Sequence, residues 1–280
     1  MLEPVALLSF PVVVIAASGL IIASCQRDEA PAPVELSSSE SLAPTVVPED
    51  VAAPAPALGR AELLAAVDVA ASAYAAGRAP VGPDALVGGR FIIRQAFGCT
   101  GPSPAPAESA PADGLGHWRW GAGHRTIAIE LAPGDWSESP LIAGAGWEAA
   151  EGFWIARPWL RTDDCPGVPG DPLASGPVAA SPQAIGLAAV FDQGASRIGR
   201  RNGRAYAFTV RGEGDQPPPA PKDGYRLVLE GRMTAFPDGR AIRCRASSPD
   251  QRPVCIVATQ LRRVAFLDAS GQTLSEWRLD

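Results

Sequence analysis

From Gly186 to the C terminus, apolar residues recur at every second position in short runs, and each run stops at a turn signal. That period sends alternate side chains to opposite faces of an extended chain, so it calls for strands with one buried face. Gly186 to Phe191 is the first such run, and in Arg204 to Arg211 the residues Tyr206, Phe208 and Val210 share a face. Tyr225 to Thr234 aligns Tyr225, Leu227, Leu229 and Met233 before Pro237-Asp238-Gly239 turns the chain into Arg240 to Arg245. Val254 to Thr259, Leu261 to Asp268, a turn at Ser270-Gly271, and Gln272 to Leu279 complete a predicted meander. Asn202-Gly203, between Ser196–Arg201 and Arg204–Arg211, predicts a tight hairpin, because both of its residues accept positive φ.

The same period appears earlier, in Arg90 to Phe97 and in Thr126 to Leu131, where Ile127, Ile129 and Leu131 line one face. Phe153 to Leu160 is apolar, and Pro158 makes it an edge or terminal strand. Only Arg60 to Ala76 carries a helical stripe, through Leu63, Leu64, Val67, Ala70, Ala71 and Tyr74, with Gly77 as its stop. The expected fold is mostly β, an antiparallel sandwich or small barrel with one N-terminal helix. A Pro-rich stretch near 166–182 is a candidate boundary between two subdomains of the globular region, residues 60–280.

At the other end, Val5 to Ser24 is apolar and without charge, and it runs into Ile22-Ala23-Ser24-Cys25. This arrangement resembles the lipobox of bacterial lipoproteins, and the resemblance covers residues 1–25 only. It implies a signal peptide over 1–24 and a diacylglycerol anchor on Cys25, with further acylation (palmitate being the usual chain) giving durable attachment. Gln26 in place of an aspartate implies the outer membrane, with the protein facing the periplasm. Residues 25–59 then form a disordered Pro/Ala/Ser-rich linker. A transmembrane helix is the competing reading of the same 20 residues.

The net charge of −6 becomes −5 once Glu3 leaves with the signal, which argues against bulk nucleic-acid binding. Lipidation of Cys25 leaves Cys99, Cys165, Cys244 and Cys255 as two disulfide pairs. Of the three connectivities, Cys99–Cys165 with Cys244–Cys255 is favoured, since the latter pair lies on adjacent strand-like runs. A metal site on these cysteines lacks any Cys-x-x-Cys spacing.

Catalytic motifs are absent: there is no Gly-x-Ser-x-Gly, Ser-x-x-Lys or His-Glu-x-x-His, and no cofactor or metal signature. The two histidines, His117 and His124, are separated by Gly121 and Gly123, which predicts a turn between them. Six of the seven tryptophans fall between 118 and 159, and Trp118 with Trp120 would share a strand face suited to stacking on a glycan or apolar ligand. Arg197, Arg200, Arg201 and Arg204 cluster around the Asn-Gly turn, where guanidinium groups could grip an anionic lipid or an acidic envelope protein. A non-catalytic envelope binding or interaction module is the expectation; a hydrolase of cell-wall or glycan substrates is the alternative.

Overall fold

Leu63, Leu64 and Val67 supply the buried face of the single helix among the described residues, α1 (Arg60–Ala75). The structure is a computed structural model that describes residues 55–78, 81–106, 110–168, 181–214 and 216–279. Val5 to Ser24, Cys25 and the linker up to residue 54 lie outside the described residues, as does 169–180. No helix among the described residues is long and apolar enough to cross a membrane. Gly77 stops α1 at φ +63, the left-handed conformation that glycine adopts without strain. Its N–H reaches Tyr74 O and that of Arg78 reaches Ala73 O, so the last carbonyls are satisfied in a Schellman motif.

Eleven strands follow among the described residues: β1 (Arg90–Phe97), β2 (Gly116–Trp120), β3 (Thr126–Leu131), β4 (Gly134–Asp135), β5 (Trp147–Trp154), β6 (Ile185–Asp192), β7 (Tyr206–Arg211), β8 (Tyr225–Met233), β9 (Ile242–Arg245), β10 (Val254–Leu267) and β11 (Thr273–Arg278). The larger sheet runs β1-β8-β10-β6-β5-β4, with β9 and β11 also on β10; β2, β3 and β7 make a second sheet. Ile127, Ile129 and Leu131 of the small sheet meet Leu227, Leu229 and Phe266 of the large one in a core that α1 completes. Fully burying each such side chain contributes about 1.5–3 kcal/mol. Among the described residues the protein is thus mostly β with one helix, and its sheets are open, so the sandwich arrangement holds and the barrel does not. One contact, β6 with β10, is parallel, and it makes the larger sheet mixed. These two strands are apolar on both faces because Trp136, Ile142, Val190, Phe236 and Ile256 form a second cluster. Gly152 and Gly186 are required there: a Cβ would stand 1.9 and 2.4 Å from the Trp136 ring.

Three sequence expectations change. The Asn202-Gly203 turn has its positive φ values, 51° and 79°, but no hairpin, for β7 pairs with β3 instead. Ser196 to Arg201 offers only Ile198 for burial, and that side chain is 66% exposed, so a strand there would cover nothing. The run from Phe153 is strand only to Trp154; β5 begins at Trp147, and the chain turns at Arg157, whose φ is +50. Val254–Thr259 and Leu261–Asp268 join into β10, a single strand with a bulge after Leu261. The hub strand is continuous because β6 and β9 flank its first half while β8 and β11 flank its second. Strands on either side of 169–180 lie side by side, β5 against β6, and Ala53–Asp280 make one compact unit. Leu58 already belongs to it, through backbone hydrogen bonds with Arg90 and Ile92.

Candidate functional site

Gln95 and Arg60 are polar side chains in the interior, only 3% and 4% exposed, and together they hold a loop that has no strand partner. Gln95 donates from Nε2 to Trp154 O at 3.2 Å and accepts the Ala156 N–H at 3.0 Å. Arg60 donates from Nε to Leu160 O at 3.0 Å and from Nη2 to Ala156 O and Arg157 O at 2.7 and 3.0 Å. Burial pulls the Arg60 guanidinium down to about 10, Asp163 opposes this, and Arg157 and Arg161 add to it. It remains a cation at neutral pH. The disulfide Cys99–Cys165 ties the turn after β1 to the segment that follows this loop, and Cys244–Cys255 bridges β9 to β10.

Between the pinned loop and the turn after β1 lies a pocket of about 470 Å³. Ser103, His117, Arg157, Trp159 and Gln183 stand on its wall. Trp159 is 56% exposed. Arg157 donates from Nη2 to Ala96 O, yet its buried Nε has no partner, and neither does the buried Oε1 of Gln183. Buried polar atoms left unpaired in a folded protein are uncommon, because each costs about 1–3 kcal/mol.

His117 stands on β2 beside Trp118, whose carbonyl accepts the Ser103 N–H at 2.7 Å. The strand alternation turns Trp118 into the core and His117 away from it. Ser103 Oγ lies 2.9 Å from His117 Nδ1, and Asp113 Oδ2 lies 2.7 Å from Nε2. Asp113 is placed by its neighbours: the Leu115 N–H donates to Oδ1 at 3.0 Å, while Gly114 donates to Ala132 O and accepts from the Trp154 N–H. Gly114 has φ +68, and a Cβ there would meet Gly152 O at 2.5 Å. Burial raises the Asp113 carboxyl, but the hydrogen bonds from His117 and Leu115 outweigh it and hold the group below its ordinary range.

The side chains singled out in the sequence are otherwise engaged. Trp118 is 1% exposed and belongs to the core, where its Nε1 donates to Gly98 O at 3.2 Å. Trp120 shares its face as expected, half-buried, with ring centroids 5.7 Å from Trp118 and 5.1 Å from His124. His124 stands on the 3₁₀ turn Ala122–His124, at φ +57, so the turn between the two histidines is present. Arg197 and Arg200 both pair with Glu148, at 2.8 and 2.9 Å. Arg201 donates to Arg204 O and Ala205 O and lies 4.5 Å over the Tyr206 ring; Arg204 donates to Arg201 O. Ser103, Asp113 and Arg157 do not stand out in the sequence, and Trp159 does so only as a member of the tryptophan cluster. The spacing of Asp113 and His117 was a local signal, whereas Ser103 reaches them only through the fold. Comparison with protein-family models, with curated proteins and with solved structures finds no match to this chain.

Proposed function

We propose that this chain is a lipoprotein of the bacterial cell envelope, anchored through Cys25 and facing the periplasm, and that it works by binding a cell-wall glycan in the pocket beneath Trp159. The lipobox-like Ile22-Ala23-Ser24-Cys25 supports the anchor. Two disulfides support an oxidising compartment. One observation carries the ligand: Trp159 presents an open indole on a pocket whose wall also carries the polar residues Ser103, His117 and Gln183. A flat aromatic face stacks on the C–H face of a sugar ring, while donors and acceptors in fixed places meet its hydroxyls. Among the tryptophans, Trp118 is closed to a ligand and Trp159 is open. The arginine turn, with its guanidinium groups committed internally, is a poorer seat for an anionic lipid or acidic partner.

The test uses the full-length protein extracted from membranes in detergent. Titration with muropeptides should change the tryptophan fluorescence saturably, and Trp159→Ala should abolish the change. An unchanged signal in the parent, or the same titration in the variant, refutes this seat. Mass spectrometry of the same preparation should find a lipid-modified N-terminal peptide beginning at Cys25; an intact Met1 overturns the anchor.

A further inference from the structure

Ser103, His117 and Asp113 form one continuous hydrogen-bonded chain, and Ser103 and His117 stand on the wall of the same pocket. Asp113 accepts at Nε2, which fixes the proton on that nitrogen and leaves the Nδ1 lone pair for the Ser103 hydroxyl. That is the arrangement in which a serine oxygen can be deprotonated as it attacks. Ser103 is also held still before any ligand arrives. Pro102 fixes the preceding φ, Pro104 restricts Ser103 itself to extended conformations, and the N–H of Ser103 is bonded to Trp118 O. Arg157 lines the same pocket and adds positive charge to it.

We propose that this relay hydrolyses an acyl ester, of the O-acetyl kind, carried by the glycan bound under Trp159; the substrate class rests on the binding reading above, and the relay does not. Ser103 Oγ bonds to the ester carbonyl carbon as its proton passes to His117 Nδ1. The carbon–oxygen bond to the sugar then breaks, and the sugar oxygen leaves with that proton. A water from solvent attacks the acyl carbon, gives a proton to His117, and breaks the bond to Ser103, whose oxygen takes the proton back. The sum is ester plus water to carboxylic acid plus alcohol. Ser103 is the nucleophile, His117 the general base, and Asp113 a positioning residue that acts through His117.

The experiment treats full-length protein in detergent with a serine-reactive fluorophosphonate, and separately measures acetate release from O-acetylated muropeptides. An adduct on Ser103 is expected, lost in Ser103→Ala, together with a fall in acetate release of at least about 100-fold in Ser103→Ala and His117→Gln. Asp113→Asn should lower the rate less and displace its pH profile, which a role confined to folding would not do. Acetate release unchanged in Ser103→Ala, with no adduct on Ser103, overturns the relay and assigns the three residues to holding the 101–106 loop. Muropeptide titration of Ser103→Ala separates the two readings. Glycan binding without ester cleavage leaves the binding function and removes the relay; an adduct on Ser103 without glycan binding keeps the relay and removes the glycan.

Discussion

Two irregular segments of this protein are pinned by a buried polar side chain, and they end in opposite states. In the turn around Arg201, Glu151 is 6% exposed and accepts the N–H groups of Arg201 and Asn202 at 2.7 and 2.8 Å, while the arginines cap carbonyls and pair with Glu148. In the loop after Trp154, Arg60 and Gln95 fix the backbone just as firmly, but Trp159 stays more than half exposed beside an open pocket. A region whose polar groups complete one another has little left to offer a ligand. A region held rigid from behind while its front stays open to solvent is preorganised for one.

The sharpest way to break this contrast is to release the pocket from behind. Cys99 and Cys165 are 66 residues apart, so the bridge removes much freedom from the unfolded chain; Cys244 and Cys255 are 11 apart. Replacing Cys99 and Cys165 by alanine should cost about 4 kcal/mol, against about 3 for the Cys244/Cys255 pair, on the loop-entropy scale. Urea unfolding of both variants measures the two losses. Only the first should also weaken muropeptide binding, since only that bridge borders the pocket. Equal binding losses would mean the pocket does not depend on its own staple.

Next in size is Arg60→Ala, which leaves the carbonyls of Ala156, Arg157 and Leu160 without their donor. A loss of about 3 kcal/mol is expected from hydrogen bonds to a charged group in the interior. Arg60→Lys should recover only part of it, because an ammonium cannot span the three acceptors as a planar fork does. If lysine restores full stability, the fork geometry is not what holds the loop.

The strands that frame both regions were legible because their chemistry is local. Thr126–Leu131 alternates so regularly that its ends could be read directly, Arg90–Phe97 has the expected bounds, and α1 ends one residue before the expected Ala76. Partnership was not legible. Asn202-Gly203 specifies a turn, yet nothing in those two residues reveals that Tyr206–Arg211 gains more by burying its face against β3 than by pairing with Ser196–Arg201. The pocket was hidden for the same reason: the loop after β1 brings Ser103 to His117 on β2, and Trp118 takes the core face of β2 whereas Trp159 stands in the loop after β5. Periodicity says which face a residue takes, whereas exposure depends on what the fold lays over that face.

The carboxylates of the two regions should also titrate with opposite signs. Burial raises Glu151 despite its two N–H donors and the nearby arginines, so the folded state holds that proton more tightly than the unfolded chain does. Its contribution to stability is complete below the usual glutamate range and is lost as pH rises through the folded value. Asp113 is depressed, so its contribution is present above the usual aspartate range and is lost as pH falls through the folded value. Glu151→Gln keeps an acceptor for both N–H groups and should remove the first slope at nearly unchanged neutral stability. Glu151→Ala strands both donors and should cost about 1–2 kcal/mol. Denaturation midpoints across acidic pH decide this, and parallel curves for the parent and Glu151→Gln would contradict the opposite signs.

The smallest stability effect is the most telling about function. Trp159 is more than half exposed, so Trp159→Ala removes little buried surface and should leave the unfolding free energy within about 0.5 kcal/mol of the parent. Trp118→Ala, by contrast, empties the core beneath β2 and should cost about 3–5 kcal/mol. Two tryptophans from one cluster of sequence thus separate cleanly, one needed by the fold and one that the fold can do without. If Trp159→Ala binds muropeptide normally at full stability, then neither fold nor ligand requires the open indole. The pocket would then have to be explained by its polar wall alone.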